Sequence, residues 1–240
     1  MESIMKFVIV FAITVLQLIF QSANSQNKNF VDIKDIIPSI QLDIRYYTNY
    51  NFIGEQVHGY NAPKCLLTRD TSHELSKVQE ELMRESYSLK IYDCYRPQRA
   101  VNNFVRWSQD KDDQKMKSKF YPNVEKQDLF IEGYIANKSS HSRGSTVDLT
   151  IVSVSTSPQN TYSSLKILSD KSVDMGTSFD FFDPSSQTLS NQINDTQRNN
   201  RLFLKTIMEK HGFRNYSQEW WHYTFKNEPF SNTYFDFPIS

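Results

Sequence analysis

The amino-acid sequence predicts a single domain of the α+β class, and three observations support this prediction. A chain of 240 residues with 38% apolar side chains can bury one sizeable core but is short for two ordinary domains. No internal repeat and no Pro/Gly-rich linker divides the chain after its N-terminal segment. Segments of helical and strand periodicity also mix without the regular βαβα order of a doubly wound sheet, which favours α+β.

Residues 1–25 are typical of a secretory signal peptide. Lys6 precedes a nearly all-apolar run over residues 7–20, and Ala23-Asn24-Ser25 presents small residues at a cleavage spacing. A membrane anchor is the alternative, but spanning a bilayer takes about 20 apolar residues and this run is shorter. We therefore expect signal removal without stable membrane insertion, and a catalytic domain over residues 26–240. The protein would then be secreted or lie in the lumen of the secretory or endolysosomal pathway.

The charge balance argues against a nucleic-acid partner. The 27 basic and 27 acidic side chains cancel, so the chain has no net positive field to attract a polyanion or an anionic membrane surface. We expect no nucleic-acid role.

Cys65 and Cys94 are the only cysteines in the sequence. In an oxidising compartment an isolated pair is a natural candidate for one disulfide, which would stabilise the fold by about 3 kcal/mol. Two buried thiols are the alternative, because sequence alone does not show the geometry. Three Asn-x-Ser/Thr sequons are also possible glycosylation sites, at Asn137, Asn194 and Asn215.

Capping residues and apolar spacing predict the helices and strands in order. A capping box over Thr71–Glu74, before an apolar helical repeat, predicts a helix from about Ser72 to Ser86. Alternation predicts a strand at Leu89–Tyr92, and Pro97 suits the first residue of a second helix. The later predicted elements are a strand over Val147–Val152, a helix over about Asp195–His211 stopped by Gly212, and a strand near His222–Phe225.

An imidazole and a carboxylate lie close together in the segment from Ser139 to Asp148. His141 and Asp148 are seven positions apart, with Gly144 between them. The Ser, Gly and Thr residues of this segment favour a loop that turns back into a strand. Such a loop would bring both side chains to one ion, because zinc accepts imidazole nitrogen and carboxylate oxygen at about 2.0 to 2.2 Å.

A second acid and imidazole, Glu219 and His222, flank two tryptophans. In a regular strand this odd spacing would point the two side chains to opposite faces, so a single site requires a turn here. His222 would then complete the ligands of one zinc ion per chain, while Glu219 takes a proton from a zinc-bound water. A structural zinc usually has four protein ligands, so three ligands plus a free acid favour catalysis. The isolated His58, His73 and His211 are interpreted as structural.

Short motifs recur along the chain in an order that a known family shares. They are Tyr-Arg-Pro-Gln-Arg-Ala at 95–100, Lys-Ser-Ser-His-Ser-Arg-Gly-Ser at 138–145, Asp-Leu-Thr at 148–150, Met-Gly at 175–176, Phe-Asp-Phe at 179–181, Glu-Trp-Trp-His-Tyr at 219–223 and Tyr-Phe-Asp-Phe-Pro at 234–238. By these motifs the chain, from about Leu42 onward, resembles the VanX-type D-alanyl-D-alanine dipeptidases, zinc D,D-peptidases that share a core with the Hedgehog signalling domain. The resemblance implies a central, mostly antiparallel sheet flanked by helices.

The resemblance also implies the catalytic roles. The zinc ligands would be His141, Asp148 and His222, with Glu219 as general base and acid. Arg96 would lie over the scissile carbonyl, where a fixed cation stabilises the oxyanion of the tetrahedral intermediate more than the ground state. From the residues alone, a structural ion pair between Arg96 and a nearby acid such as Asp93 is the preferred interpretation.

The same resemblance implies a site for a small D,D-dipeptide. Asp180 and Tyr46 would receive the free amino terminus, and Ser140 would help to hold the substrate carboxylate. A buried carboxylate would reject longer peptides, because their amide nitrogen brings no charge to offset its desolvation. A D,D-carboxypeptidase that trims longer wall peptides and a non-catalytic zinc-binding module are the alternatives to a secreted D-alanyl-D-alanine dipeptidase.

Overall fold

A computed structural model describes residues 28–154 and 170–240. The predicted signal peptide lies outside these residues and stays a prediction. Within the described ranges, no helix is both long and apolar enough to cross a membrane.

A central mixed sheet organises the described part of the chain. Its strand order is β2-β4-β5-β7-β6, and a separate two-stranded sheet pairs β1 with β3. The strands are β1 Phe30–Asp32, β2 Gln41–Leu42, β3 Leu66–Thr68, β4 Tyr87–Asp93, β5 Thr146–Ser153, β6 Phe213–Asn215 and β7 His222–Phe225. Only β2 and β4 run parallel in the central sheet; its other strand pairs are antiparallel. The predicted α+β class with a mostly antiparallel sheet is confirmed.

Three long helices accompany the sheet in the described ranges, with two single-turn helices. They are α1 Ile33–Ile36, α2 Arg69–Arg84, α3 Gln98–Gln109, α4 Lys117–Phe120 and α5 Asp195–Lys210. Short 3-10 turns lie at Arg45–Tyr47, Lys126–Asp128, Ser140–Arg143 and Pro184–Ser186. All three predicted helices are present. The largest difference is in α2, which runs over Arg69–Arg84 instead of about Ser72 to Ser86.

The capping box predicted at Thr71 is wrong. Helix α2 begins at Arg69, after Thr68, so Thr71 lies inside its first turn. Its hydroxyl contacts that of Thr68 at 2.7 Å instead of capping the backbone. Helix α3 likewise begins one residue after Pro97, whose extended backbone precedes the first turn.

Helix α5 shows the two end signals that the sequence carries. Asn194 and Gln197 form a reciprocal capping box at its start. At its end Gly212 has a φ of +81°, the left-handed conformation that glycine adopts at low cost.

The two faces of the sheet differ in chemistry. Along β5, Leu149 and Ile151 point to one face, and Asp148 and Thr150 point to the other, because successive strand residues alternate. Helices α2 and α5 pack on the sheet and on each other and cover the apolar face. The opposite face is therefore the one on which polar side chains can form a site.

One disulfide ties the ends of two strands together. Cys65, before β3, is bonded to Cys94, after β4, with their Cα atoms 5.2 Å apart. The alternative of two buried thiols is wrong. The bridge closes a loop of 29 residues, which in the loop-entropy account contributes about 3 kcal/mol to stability.

Candidate active site

Three adjacent strands place three polar side chains in one row. Asp93 at the end of β4 is paired with Asp148 on β5, and Asp148 is paired with His222 at the start of β7. A register shift just before Asp93 accommodates this pairing at the end of the strand. Sheet register, rather than loop flexibility, therefore brings Asp148 and His222 side by side.

His141 joins the row from a tight turn that leads into β5. Its backbone N–H donates to the Ser139 hydroxyl at 3.3 Å, and the turn ends at Gly144 with φ +81°. A Cβ at Gly144 would lie 2.2 Å from the Phe30 ring, so glycine is required both for its backbone conformation and for this close approach. The predicted loop that turns back into a strand is confirmed.

The three predicted metal ligands converge. His141 Nε2 lies 3.2 Å from Asp148 Oδ2, His222 Nδ1 lies 3.1 Å from Asp148 Oδ1, and the two imidazole nitrogens are 3.3 Å apart. Asp148 Oδ1 is buried and accepts no hydrogen bond of suitable geometry in the described residues, although His222 Nδ1 lies within 3.1 Å of it. Buried polar atoms are normally satisfied, so this donor set fits a cation better than it fits a protein network.

The hydrogen bonds around the imidazoles select the nitrogens that face the cluster. His141 Nδ1 donates to the Cys94 carbonyl at 2.7 Å, which leaves its Nε2 lone pair free. His222 Nε2 lies 3.3 Å from the Ser140 hydroxyl, so its Nδ1 points inward. Burial acts to raise the pKa of Asp148, but the two imidazoles outweigh burial and hold that pKa well below its usual value.

Glu219 lies beside the cluster on the turn that precedes β7. Its Oε2 is 3.5 Å from His222 Nδ1, so the acid stands next to the ligands without replacing one. The turn that this spacing requires is present, since β7 begins only at His222. Burial raises the pKa of Glu219 from 4.5 to about 7, which suits a group that takes up and returns a proton near neutrality.

Arg96 makes an ion pair and also lies beside the candidate metal cluster. Its Nε donates to Asp93 Oδ2 at 2.9 Å, which is the predicted ion pair, and its Nη2 lies 3.5 Å from Asp148. The guanidinium also lies 4.9 Å from the centre of the Tyr46 ring and lines the same cavity as the metal cluster. Asp93 therefore fixes a cation beside the cluster.

Asp180 and Tyr46 form a second polar group in the cavity. The Tyr46 hydroxyl donates to Asp180 Oδ2 at 2.9 Å, and Asp180 is only 5% exposed. Burial, reinforced by the charge of Asp148, raises the pKa of Asp180 well above its usual value. Its backbone φ of +59° is rare for a residue other than glycine, although Asp and Asn tolerate it best. A buried carboxylate held in this way suits a cationic partner.

One cavity of about 250 Å³ contains all of these groups. Ser140 lines it, but the contact that its hydroxyl makes is with the His222 ring. The cavity is lined by all eight predicted site residues, and also by Lys138, Ser139, Tyr134 and Tyr216.

Sequence reasoning named Asp93 only as an ion-pair partner and missed its wider contacts. Asp93 also accepts a hydrogen bond from the Tyr60 hydroxyl at 2.6 Å and lies 3.5 Å from His141 Nδ1. Its position three residues before Arg96 was the available signal. The other histidines lie elsewhere: His58 and His73 are exposed, and His211 contacts Glu81 at 2.8 Å.

Comparison with known proteins agrees with this geometry. Residues 26–240 match the peptidase M15 family, described as D-ala-D-ala dipeptidase. This chain belongs to that family. Peptidases of the M15 family are metallopeptidases, and the convergent His141, Asp148 and His222 are a candidate metal site of this member.

Three curated members of the family are similar over most of their length. The chain is 38% identical over 210 residues to a D-alanyl-D-alanine dipeptidase of Enterococcus faecium, covering 88% of this chain and 98% of that protein. A protein of the same name from Streptomyces coelicolor is 38% identical over 212 residues, with the same coverage. The Escherichia coli protein of that name is 27% identical over 199 residues, covering 83% of this chain and 86% of the other.

Proposed function

We propose that this protein is a zinc-dependent dipeptidase that hydrolyses D-alanyl-D-alanine and similar D,D-dipeptides. The observation that carries the proposal is the arrangement of one small cavity. A convergent cluster of His141, Asp148 and His222 lies beside a free acid, Glu219, and a buried carboxylate, Asp180, lines the same space. The names of the relatives support the D,D-dipeptide as substrate.

The donor set favours zinc. Two imidazole nitrogens and one carboxylate oxygen are a common ligand set of catalytic zinc, which keeps a position open for water or substrate. When bound, the ion would polarise the peptide carbonyl and acidify a water molecule.

Glu219 is the proton carrier in the proposed reaction. It takes a proton from the attacking water and returns it to the leaving amine when the peptide bond breaks. Its position 3.5 Å from His222 places it at the edge of the ligand cluster.

Arg96 supplies a fixed positive charge for the transition state. The tetrahedral intermediate carries an oxyanion that the planar substrate lacks, so a guanidinium held by Asp93 stabilises the transition state more than the ground state.

Asp180 and Tyr46 select the length of the substrate. The ammonium of a free dipeptide would satisfy the Asp180 carboxylate, whereas the amide nitrogen of a longer peptide would leave that carboxylate buried without a cation. The cavity of about 250 Å³ likewise suits a short ligand. This arrangement favours a dipeptidase over a carboxypeptidase.

We also propose that the N-terminal segment directs the chain into a secretory pathway. The bonded pair Cys65–Cys94 supports this proposal, because disulfides persist in oxidising compartments.

A substrate panel tests the proposed activity. Purified protein with measured zinc content is incubated with D-alanyl-D-alanine, its N-acetyl derivative, and the L,D- and L,L-dipeptides, and alanine release is followed. We expect cleavage of the free D,D-dipeptide only, and nearly none by Glu219→Gln, which keeps the shape of the side chain. Equal cleavage of the N-acetyl derivative would favour the carboxypeptidase. No cleavage of any substrate by the zinc-loaded protein would favour the non-catalytic module.

A further inference from the structure

The turn between β6 and β7 carries both the proposed base and a proposed ligand. Glu219 N–H donates to the Tyr216 carbonyl at 3.0 Å, and Tyr216 N–H donates to the His222 carbonyl at 3.0 Å. These two hydrogen bonds join residues of the turn to one another and do not attach it to the rest of the protein. The distance between Glu219 and the ligand cluster therefore depends on what holds the turn as a unit.

The side chain of Asn215 spans the base of this turn. Its Nδ2 donates to the Glu219 carbonyl at 3.0 Å and to the His222 carbonyl at 3.1 Å. Its Oδ1 accepts from the Thr188 hydroxyl at 2.6 Å. The side-chain amide of Asn215 thus hydrogen-bonds the backbone of both Glu219 and His222, the two residues whose side chains meet at the site.

The chemistry of these partners fixes the orientation of the amide. Carbonyl oxygens only accept hydrogen bonds, so the nitrogen of Asn215 must face Glu219 and His222. Thr188 is 1% exposed, and its own N–H donates to the Ser217 carbonyl inside the turn at 3.0 Å. The segment around Thr188 therefore supports the turn from the side and holds the amide in one orientation.

We propose that Asn215 is a positioning residue that sets the distance between Glu219 and the metal ligands, with Thr188 orienting its amide. An aspartate of the same shape would remove both donors and place a carboxylate against two carbonyl oxygens. The part of this inference that concerns turnover rests on the proposed dipeptidase function, whereas the part that concerns zinc affinity does not.

The inference bears on the sequon that begins at Asn215. A glycan attached to Nδ2 would replace one of the two hydrogens that bind the turn. We therefore infer that Asn215 is unmodified in the active protein.

Variants of Asn215 and Thr188 test the role. For Asn215→Asp we expect kcat to fall roughly 10²-fold with KM nearly unchanged, because small displacements of reacting groups have effects of this size. Zinc affinity, measured by competition with a chelator, should fall about tenfold. Thr188→Val, which removes the hydroxyl, should lower kcat and zinc affinity by less than Asn215→Asp does. Thr188→Ser, which keeps the hydroxyl, should have kcat and zinc affinity close to those of the wild type. The matched control is Asn199→Asp, at an exposed position on α5.

The outcomes separate positioning from simple support of the fold. If Asn215→Asp lowers the melting temperature but keeps wild-type kcat and zinc affinity while folded, the proposal is wrong. If that variant does not fold, Thr188→Val decides by the same two measurements. If wild-type protein binds zinc but cleaves no dipeptide, the proposed function fails, and the zinc affinities of the variants still decide the role of Asn215.

Discussion

The two ends of the cavity are built differently. At the end with the candidate metal ligands, called the metal end below, Asp148 and His222 lie on paired strands, and their contact follows from sheet register. At the end proposed to receive the substrate ammonium, called the ammonium end below, Asp180 lies outside the helices and strands, with a left-handed backbone, and Tyr46 lies in a 3-10 turn. One end is part of the sheet, while the other depends on how a loop packs.

Arg201 holds the loop at the ammonium end. This buried side chain of α5 donates to the carbonyls of Met175, Ser185 and Gln187 at 2.6 to 2.9 Å, on both sides of Asp180. Burial lowers the pKa of Arg201 to about 10, so the guanidinium stays charged at neutral pH. A strained backbone persists only where its surroundings fix it, and these three hydrogen bonds restrain the chain on both sides of Asp180.

The largest effect should come from the metal end. Asp148→Asn keeps the shape of the side chain but removes the charge between the imidazoles, so we expect loss of zinc and a fall in activity of about 10³-fold or more. Metal analysis and alanine release measure both. The control is Thr150→Val on the same strand face, whose hydroxyl has no hydrogen-bond partner in the described residues. Retained zinc in Asp148→Asn would contradict the ligand assignment.

The next largest effect should come from Asp180. Asp180→Asn tolerates the left-handed backbone but loses the charge, so kcat/KM for a free dipeptide should fall about 10²-fold, as expected when one partner of a buried charge pair is removed. Zinc content should stay at the wild-type level. The exposed Asp174→Asn is the matched control. An unchanged KM for the free dipeptide would show that its ammonium binds elsewhere.

The loss of activity at low pH should come from protonation of Glu219, at the metal end. Glu219 must be ionised to accept a proton, so kcat/KM should fall about tenfold per unit below the pKa of Glu219. Above that pKa it should reach a plateau that ends at about pH 8, near the pKa of an α-amino group, where the dipeptide loses the ammonium charge that Asp180 is proposed to bind. Burial raises this pKa from 4.5 to about 7 and a bound cation lowers it, so the midpoint should lie between these values. The pH profile of wild-type protein gives that midpoint. If Asp180→Asn abolishes the acid limb, the titrating group lies at the ammonium end instead.

The smallest effect on activity should come from Arg201, which holds the loop that carries Asp180. Arg201→Met leaves three buried carbonyls without their donor, so unfolding free energy should fall by about 3 kcal/mol. KM for the dipeptide should rise only about fivefold, since Asp180 is displaced rather than removed. Denaturant titration and steady-state kinetics measure these changes. A loss of zinc affinity in this variant would show that the two ends are not independent.

The contrast between the sheet-built metal end and the loop-built ammonium end also explains which site residues could be predicted from the sequence. His141, Asp148, Glu219 and His222 fall in two short segments whose residue types indicate a zinc site, and paired strands then bring the segments together. Asp180 carries no such local signal. Its loop is held by hydrogen bonds from Arg201 to backbone carbonyls, and every residue type has a backbone carbonyl, so the sequence does not mark these contacts. Only the family resemblance pointed to Asp180.

Two further features could not be predicted from the sequence: the start of helix α2 and the role of Asn215. Thr68 and Thr71 both precede apolar helical residues, and Thr68 lies outside the first turn of α2 because it ends β3, where it pairs with Phe30 of β1. The role inferred for Asn215 could not be read from the sequence either, since its two acceptors are backbone carbonyls.

The disulfide has a practical consequence for anyone who produces this protein. Cys94 provides the carbonyl that orients the ring of His141, so the cross-link and the metal cluster share one backbone segment. Protein made in a reducing cytoplasm lacks the bond that anchors this segment. We therefore expect the zinc content of a recombinant batch to depend on the compartment in which the host folds it, even when every batch has the same sequence.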